Sequence, residues 1–119
     1  MSEYHEPAEE LSPEARDLHR ALTSLKEEIE AVDWYHQRVE RCTDSELKAV
    51  LAHNRNEEIE HACMTLEWLR RNFPAWDSNL RQYLFKTQSI VDIEDGDEGQ
   101  GAGAPERGLG LGKLRGENT

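Results

Sequence analysis

The sequence has no glycine before residue 96 and only four prolines, Pro7, Pro13, Pro74 and Pro105, so two long stretches run without the residues that break helices. It has no run approaching the roughly 20 apolar residues that a membrane helix needs. Met1 to Glu10 carries acids and a proline where a secretory leader would carry basic residues and then an apolar run, so residence in the cytoplasmic compartment is expected. Cysteine is scarce: Cys42 and Cys63 form neither a CxxC pair nor a disulfide framework and read as reduced thiols. Basic residues are outnumbered, 14 against 25 acids, for a formal net charge of -11. Such a field repels phosphate backbones and gathers cations, which argues against a nucleic-acid partner. With 119 residues, 36% hydrophobic and 33% charged, the chain has room for one helix-rich domain with a limited core.

What is present is a helical hairpin. Ser12, Pro13 and Glu14 supply an N-cap, a first-turn proline and an early acid, predicting a helix to about Arg41. Thr43 and Glu46 form a capping box that opens a second helix, and Pro74 ends it near Asn72 by pushing Phe73 out of the helical region. A short third helix is expected to about Phe85. Cys42 to Asp44 leaves space only for an antiparallel turn. The first helix carries an apolar stripe at Leu18, Leu22, Leu25, Ile29, Val32 and Val39. The second repeats the spacing at Leu47, Leu51, Asn54, Glu58, His61, Thr65 and Trp68, but its middle is polar. Two rods of about 40 Å cannot enclose both faces of their interface. The expected fold class is therefore all-α: an antiparallel two-helix hairpin plus a short C-terminal helix, becoming a four-helix bundle when two identical chains pair.

The domain reading follows from composition. Residues 1–11 are a flexible N-terminus, 12–90 the helical domain, and 91–106 a flexible acidic and glycine-rich linker. Residues 107–119 hold Leu109, Leu111 and Leu114, apolar anchors suited to another protein's groove.

Glu58 and His61 are three apart on the second helix and project toward one point. Glu-x-x-His alone is a weak signal, more often met by a surface acid beside a satisfied histidine. Its position in a stripe that should be core points to a metal or a tight network, because an unpaired buried charge costs several kcal/mol. Glu28, between Leu25 and Val32, stands at the margin of the first helix's stripe, with Tyr35 seven residues on. Ferritin-like di-iron proteins use one Glu from each of two helices and a Glu-x-x-His from each of the other two. Two copies of Glu28, Glu58 and His61 would complete that set around two irons, and its oxygen-rich donors suit iron better than structural zinc.

The segments Glu27-Glu28-Ile29-Glu30-Ala31-Val32-Asp33-Trp34-Tyr35 and His53-Asn54-Arg55-Asn56-Glu57-Glu58-Ile59-Glu60-His61-Ala62 resemble the encapsulated ferritins of prokaryotes. So do Met64 to Arg71, Tyr83-Leu84-Phe85 and the terminal Leu109-Gly110-Leu111-Gly112-Lys113-Leu114-Arg115, in which Lys113 stands where a serine is common. The resemblance implies a ferroxidase built from dimers, an annular decamer, and transport as cargo into an encapsulin nanocompartment through Leu109, Leu111 and Leu114. It implies Glu28, Glu58 and His61 as iron ligands, two irons per dimer interface, with Tyr35 close by. Tyr35 can also be read as an interface aromatic with a satisfied hydroxyl.

Glu27, Glu30 and Trp34 lie opposite the first helix's stripe, and His53, Glu57 and Glu60 share a face of the second. Each group either holds cations transiently or, as the residues by themselves favour, is a solvated acidic face; the resemblance, in which the equivalents of Glu27 and Glu30 line a metal path, narrows that gap. Cys63 and His36 read as packing residues. Two rival functions stay open: a non-enzymatic acidic cargo or adaptor with a structural polar network, and a di-iron peroxidase of rubrerythrin type, whose fullest form the lack of CxxC pairs disfavours.

Overall fold

The computed structural model describes residues 4–96, which are helical with no strand among them. Readings that fall on the chain from Asp97 onward, including the Leu109, Leu111 and Leu114 anchors, lie outside the described residues. The chain divides between Leu69 and Arg70 into two compact units.

The first unit opens with a 3-10 turn, Ala8–Glu10, followed by α1, Pro13–Arg41. The Ser12 hydroxyl accepts the Ala15 N–H at 3.0 Å and Pro13 occupies the first turn, as the sequence predicts. The segment before α1 is tied to it: Arg16 donates to the Ala8 carbonyl at 2.9 Å, and Tyr4 stacks on His19 with ring centroids 4.0 Å apart. Nothing in the composition of residues 1–11 announces those contacts.

The second helix, α2, spans Ser45–Asn72. Its cap differs from the expectation: the Asp44 carboxylate, not Thr43, accepts the Leu47 N–H at 2.8 Å, and the Asp44 carbonyl accepts from Lys48 at 2.9 Å. A carboxylate both satisfies an orphan N–H and complements the positive helix end, so it wins over a neutral hydroxyl one residue earlier. Two contacts give the register. Arg55 Nη1 lies 3.0 Å from His36 Nδ1, and His61 Nδ1 lies 3.5 Å from Glu28 Oε1. As the α1 number falls the α2 number rises, which is an antiparallel hairpin. An open groove lined by Asp17, Ala21 and Ser24 from α1 and Met64, Thr65 and Trp68 from α2 continues that register.

The hairpin closes little core. Of the predicted α1 stripe only Val39 is buried; Leu18, Leu25 and Val32 are half-buried, Leu22 is 41% exposed and Ile29 57%. On α2, Leu47, Val50, Ile59, Met64 and Trp68 are exposed and Leu69 is buried. Two cylinders touch along one line, so most of each apolar stripe faces outward.

In the second unit Phe73 is extended, φ -142° and ψ 101°, as a residue before proline must be, and α3 runs Pro74–Tyr83. Asp77 accepts from Arg70 and, at 2.9 Å, from Arg81. Burial works to raise the Asp77 pKa, and the two guanidinium bonds outweigh it, holding the carboxyl below the usual range. The helix stops short of the expected Phe85: Leu84 is extended and Phe85 has φ 62°.

Residues 91–96, expected to open a flexible linker, are helical. Ile90–Gly96 forms α4 beside α3, with the Ile93 N–H on the Ser89 carbonyl at 3.2 Å and Ile93 only 1% exposed. Burying one isoleucine contributes about 1.5–3 kcal/mol toward ordering a turn whose acids had marked it as solvated. No helix among the described residues is long and apolar enough to cross a membrane.

Candidate metal centre

Helix α2 carries Glu58 and His61 on one face, and the antiparallel register brings Glu28 of α1 opposite them. One ligand atom from each of the three lies within 4.8 Å of the others. His61 Nδ1 is 3.5 Å from Glu28 Oε1 and 3.8 Å from Glu58 Oε1. It is the one such group of three among the described residues.

The seam was expected to bury these side chains; in a single chain it covers them in part. Side-chain exposure is 24% for Glu28, 27% for Glu58 and 46% for His61, so the cluster has one open side. A hairpin supplies two walls, and a third must come from elsewhere.

Within the cluster Glu28 Oε1 is itself buried and has no hydrogen-bond partner. Two ionised carboxylates offer each other no donor. A hydrogen bond with Glu58 that needs a proton on one of them, then burial, then the like charge of Glu58 hold the Glu28 pKa above the ordinary glutamate range; His61 pulls the other way. A cation among the three would meet the orphaned oxygen and cancel the repulsion. Two carboxylates and one imidazole fit a divalent first-row metal such as iron and do not fit a thiolate-rich zinc site.

The remaining candidates do not join this cluster. Tyr35 is half-buried on α1 with the Arg38 guanidinium 5.2 Å above its ring. Glu27, Glu30, Trp34 and Glu60 are exposed. His53 Nε2 lies 3.9 Å from Glu57 Oε2, and Glu57 Oε1 lies 3.8 Å from His61 Nε2, a row along α2. The i,i+4 spacing of His53, Glu57 and His61 was visible in the sequence, where His53 and Glu57 were grouped with Glu60 as transient cation holders or a solvated acidic face. The two residues expected to pack do not: Cys63 is exposed, and His36 is exposed and bonded to Arg55. One hairpin has too little interior to take them in. Cys42, half-buried, donates its thiol to the Asp44 carbonyl at 3.6 Å.

The EncFtn-like family model matches residues 3–87 of this chain. A ferritin-like protein of Thermotoga maritima is 59% identical over 93 residues, covering 78% of this chain and 82% of that one. An encapsulated ferritin-like protein of Rhodospirillum rubrum is 54% identical over 123 aligned positions, 95% of this chain and 88% of the relative. The crystal structure of a Nitrosomonas europaea protein matches with a TM-score of 0.74 at 60% identity, covering 76% of this chain and 99% of that one. The family match takes in α1, α2 and α3 whole, including all three clustered residues, and on that ground the chain belongs to the EncFtn-like family of encapsulated ferritin-like proteins.

Proposed function

We infer that this chain is a ferroxidase that oxidises Fe(II) to Fe(III) at a di-iron site shared by two subunits, for storage inside an encapsulin shell. The observation that carries the reading is the convergence of Glu28, Glu58 and His61 with an orphaned carboxylate oxygen among them. Iron is the substrate. A second copy related by a two-fold axis brings the same three residues to the open side, giving a ferritin-like four-helix bundle with two irons at each dimer interface. Each Fe(II) gives up one electron, O2 accepts them, and the carboxylates favour the more highly charged ferric product. The exposed Leu22, Ile29, Met64 and Trp68 support the same pairing, because they leave an apolar surface that a partner would cover.

In this reading Tyr35 would serve close to the metal, while Glu27, Glu30, Trp34, His53 and Glu60 would line an approach whose carboxylates draw Fe(II) inward. Dimers closing into an annular decamer would repeat this arrangement. The Rhodospirillum rubrum relative is named as encapsulated. By the same logic the tail of this chain docks to an encapsulin shell through Leu109, Leu111 and Leu114, placing the protein in a nanocompartment of a prokaryotic cytoplasm.

The joint variant Glu58→Ala with His61→Ala should lower Fe(II) oxidation to the uncatalysed background and remove iron from the purified dimer; oxidation at the wild-type rate would end the assignment. Truncation after Pro105 should leave oxidation intact and abolish recovery with the shell, and retained recovery would refute the docking.

A further inference from the structure

Along α1 the apolar stripe passes from Val32 to Val39 with His36 at the step between them. Arg55 of α2 donates through Nη1 to His36 Nδ1 at 3.0 Å, a bond that crosses from one helix to the other. A guanidinium can only donate, so the Nδ1 that meets it carries no hydrogen, and the imidazole is neutral with its hydrogen on Nε2. The guanidinium is held in turn, Arg55 Nε donating to Asn56 Oδ1 at 3.2 Å.

The hairpin has little else to fix the spacing of its helices at this level. Among its described residues only Val39, near the turn, and Leu69, near the end of α2, are buried apolar side chains. Between them the α2 face reads Asn54, Glu58 and His61, and Glu28 and Glu58 bring two carboxylates together. When ionised these repel each other and tend to part the helices. Arg55 stands three residues before Glu58, about 4.5 Å along a helix, and His36 eight after Glu28, about 12 Å. Over such lengths a helix is stiff, so a bond that fixes Arg55 against α1 also fixes Glu58 against Glu28.

We propose that Arg55 and His36 form a strut between α1 and α2 that holds the metal-free Glu28, Glu58 and His61 at binding distance, Arg55 as the positioning residue and His36 as its acceptor. The inference rests on the metal-site reading of those three residues and adds two that lie outside the converging group. A strut and a charge act with opposite sign. As a cation Arg55 repels a metal ion, so removing its charge alone would tighten metal binding, whereas removing a strut weakens it.

The test uses the full chain and Co(II) alone as probe, reading the binding that Glu58→Ala with His61→Ala abolishes. His36→Ala decides, because the neutral imidazole leaves without a change of formal charge. It should weaken that binding roughly two- to tenfold, the net contribution of one hydrogen bond expressed as a binding constant. His36→Asn sets an amide oxygen where Nδ1 stood and should recover most of the loss. Adding Arg55→Ala to His36→Ala should cost nothing further, as two halves of one bond require. In the metal-free wild type, ¹⁵N-labelled His36 should show a bare Nδ1 and a protonated Nε2.

The affinity of the folded chain does not depend on how stable the fold is. A His36→Ala chain that melts earlier but binds Co(II) like the wild type has therefore lost an ordinary surface bond, which overturns the proposal. Tighter binding in Arg55→Ala beside an unchanged His36→Ala also overturns it, leaving Arg55 a charge and no strut. So does weakening that comes only with a fall to monomer in sedimentation, since the pair is then a contact between copies. If Glu58→Ala with His61→Ala binds Co(II) like the wild type, the site itself is misassigned; binding lost there beside an unchanged His36→Ala leaves the site standing and removes only the strut.

Discussion

The Glu28 and Glu58 carboxyls meet in a half-buried place, where two charges offer each other no donor and Glu28 Oε1 is left without a hydrogen-bond partner. In the unfolded chain Glu28 would release its proton near pH 4.3. In the folded, metal-free chain the hydrogen bond with Glu58, burial and the like charge make it hold on to higher pH. Between those two values the native state binds more protons than the unfolded state, so the contribution of this group to stability falls as pH rises through the window. Other carboxylates such as Asp77, whose pKa is lowered, slope the opposite way, with stability lost as pH falls below the usual aspartate range. The informative quantity is thus the difference between wild type and Glu28→Gln. Thermal melts of the two metal-free proteins from pH 4 upward, at roughly half-unit steps about the glutamate range, should converge at the acid end and separate as pH rises, the wild type losing ground. Parallel curves would show that Glu28 is not strained by its neighbour.

Helix α2 begins at a charge. With Asp44 accepting the Leu47 N–H at 2.8 Å, Asp44→Ala should cost about 1 kcal/mol of stability, read from urea unfolding, while Thr43→Ala should cost far less. A larger loss for Thr43 would restore the cap expected from the S/T-x-x-E pattern. This element shows what a sequence can and cannot disclose. The long periodic stripes, Ser12 with Pro13, and Phe73 before Pro74 marked α1, α2 and the break before α3, because caps and prolines act through local sterics and local hydrogen bonds. Glu46, three residues after Thr43, drew the cap to Thr43 in that reading, and the pattern alone does not tell which neighbouring oxygen reaches the Leu47 N–H. Helix α4 was hidden by Asp92, Glu94 and Asp95, since its order comes from the burial of Ile93, a tertiary event. At the site, Glu58 and His61 were legible from i,i+3 spacing, and Glu28 from its place at the stripe's margin. Which nitrogen of His61 faces Glu57 was not legible, because spacing fixes neighbours but leaves the rotamer open.

At the scale of the whole molecule, an unusually exposed apolar surface must be reconciled with chains that each carry a formal charge of -11 and so repel one another. Ile29 sits next to Glu28 and is 57% exposed in a single chain. If a two-fold partner covers it, its burial contributes about 1.5–3 kcal/mol, counted once in each copy. Losing it twice would weaken pairing by roughly a hundredfold or more, since about 1.4 kcal/mol is a factor of ten. Ile29→Glu and Ile29→Lys distinguish burial from net charge as the governing term. Both place an ion in an apolar contact, but one raises the repulsion between chains and the other lowers it. If burial governs, sedimentation at micromolar concentration should show both variants shifted to monomer, with Fe(II) oxidation per chain falling in step because half a site remains. If net charge governs, Ile29→Lys should assemble at least as well as the wild type, and raising the salt from about 0.01 to 0.15 M, which shortens the screening length from about 30 to 8 Å, should rescue Ile29→Glu at least as much as it strengthens the wild-type assembly. Assembly of both variants at wild-type strength, with full oxidation, would mean that the face around Ile29 is not where the second copy sits.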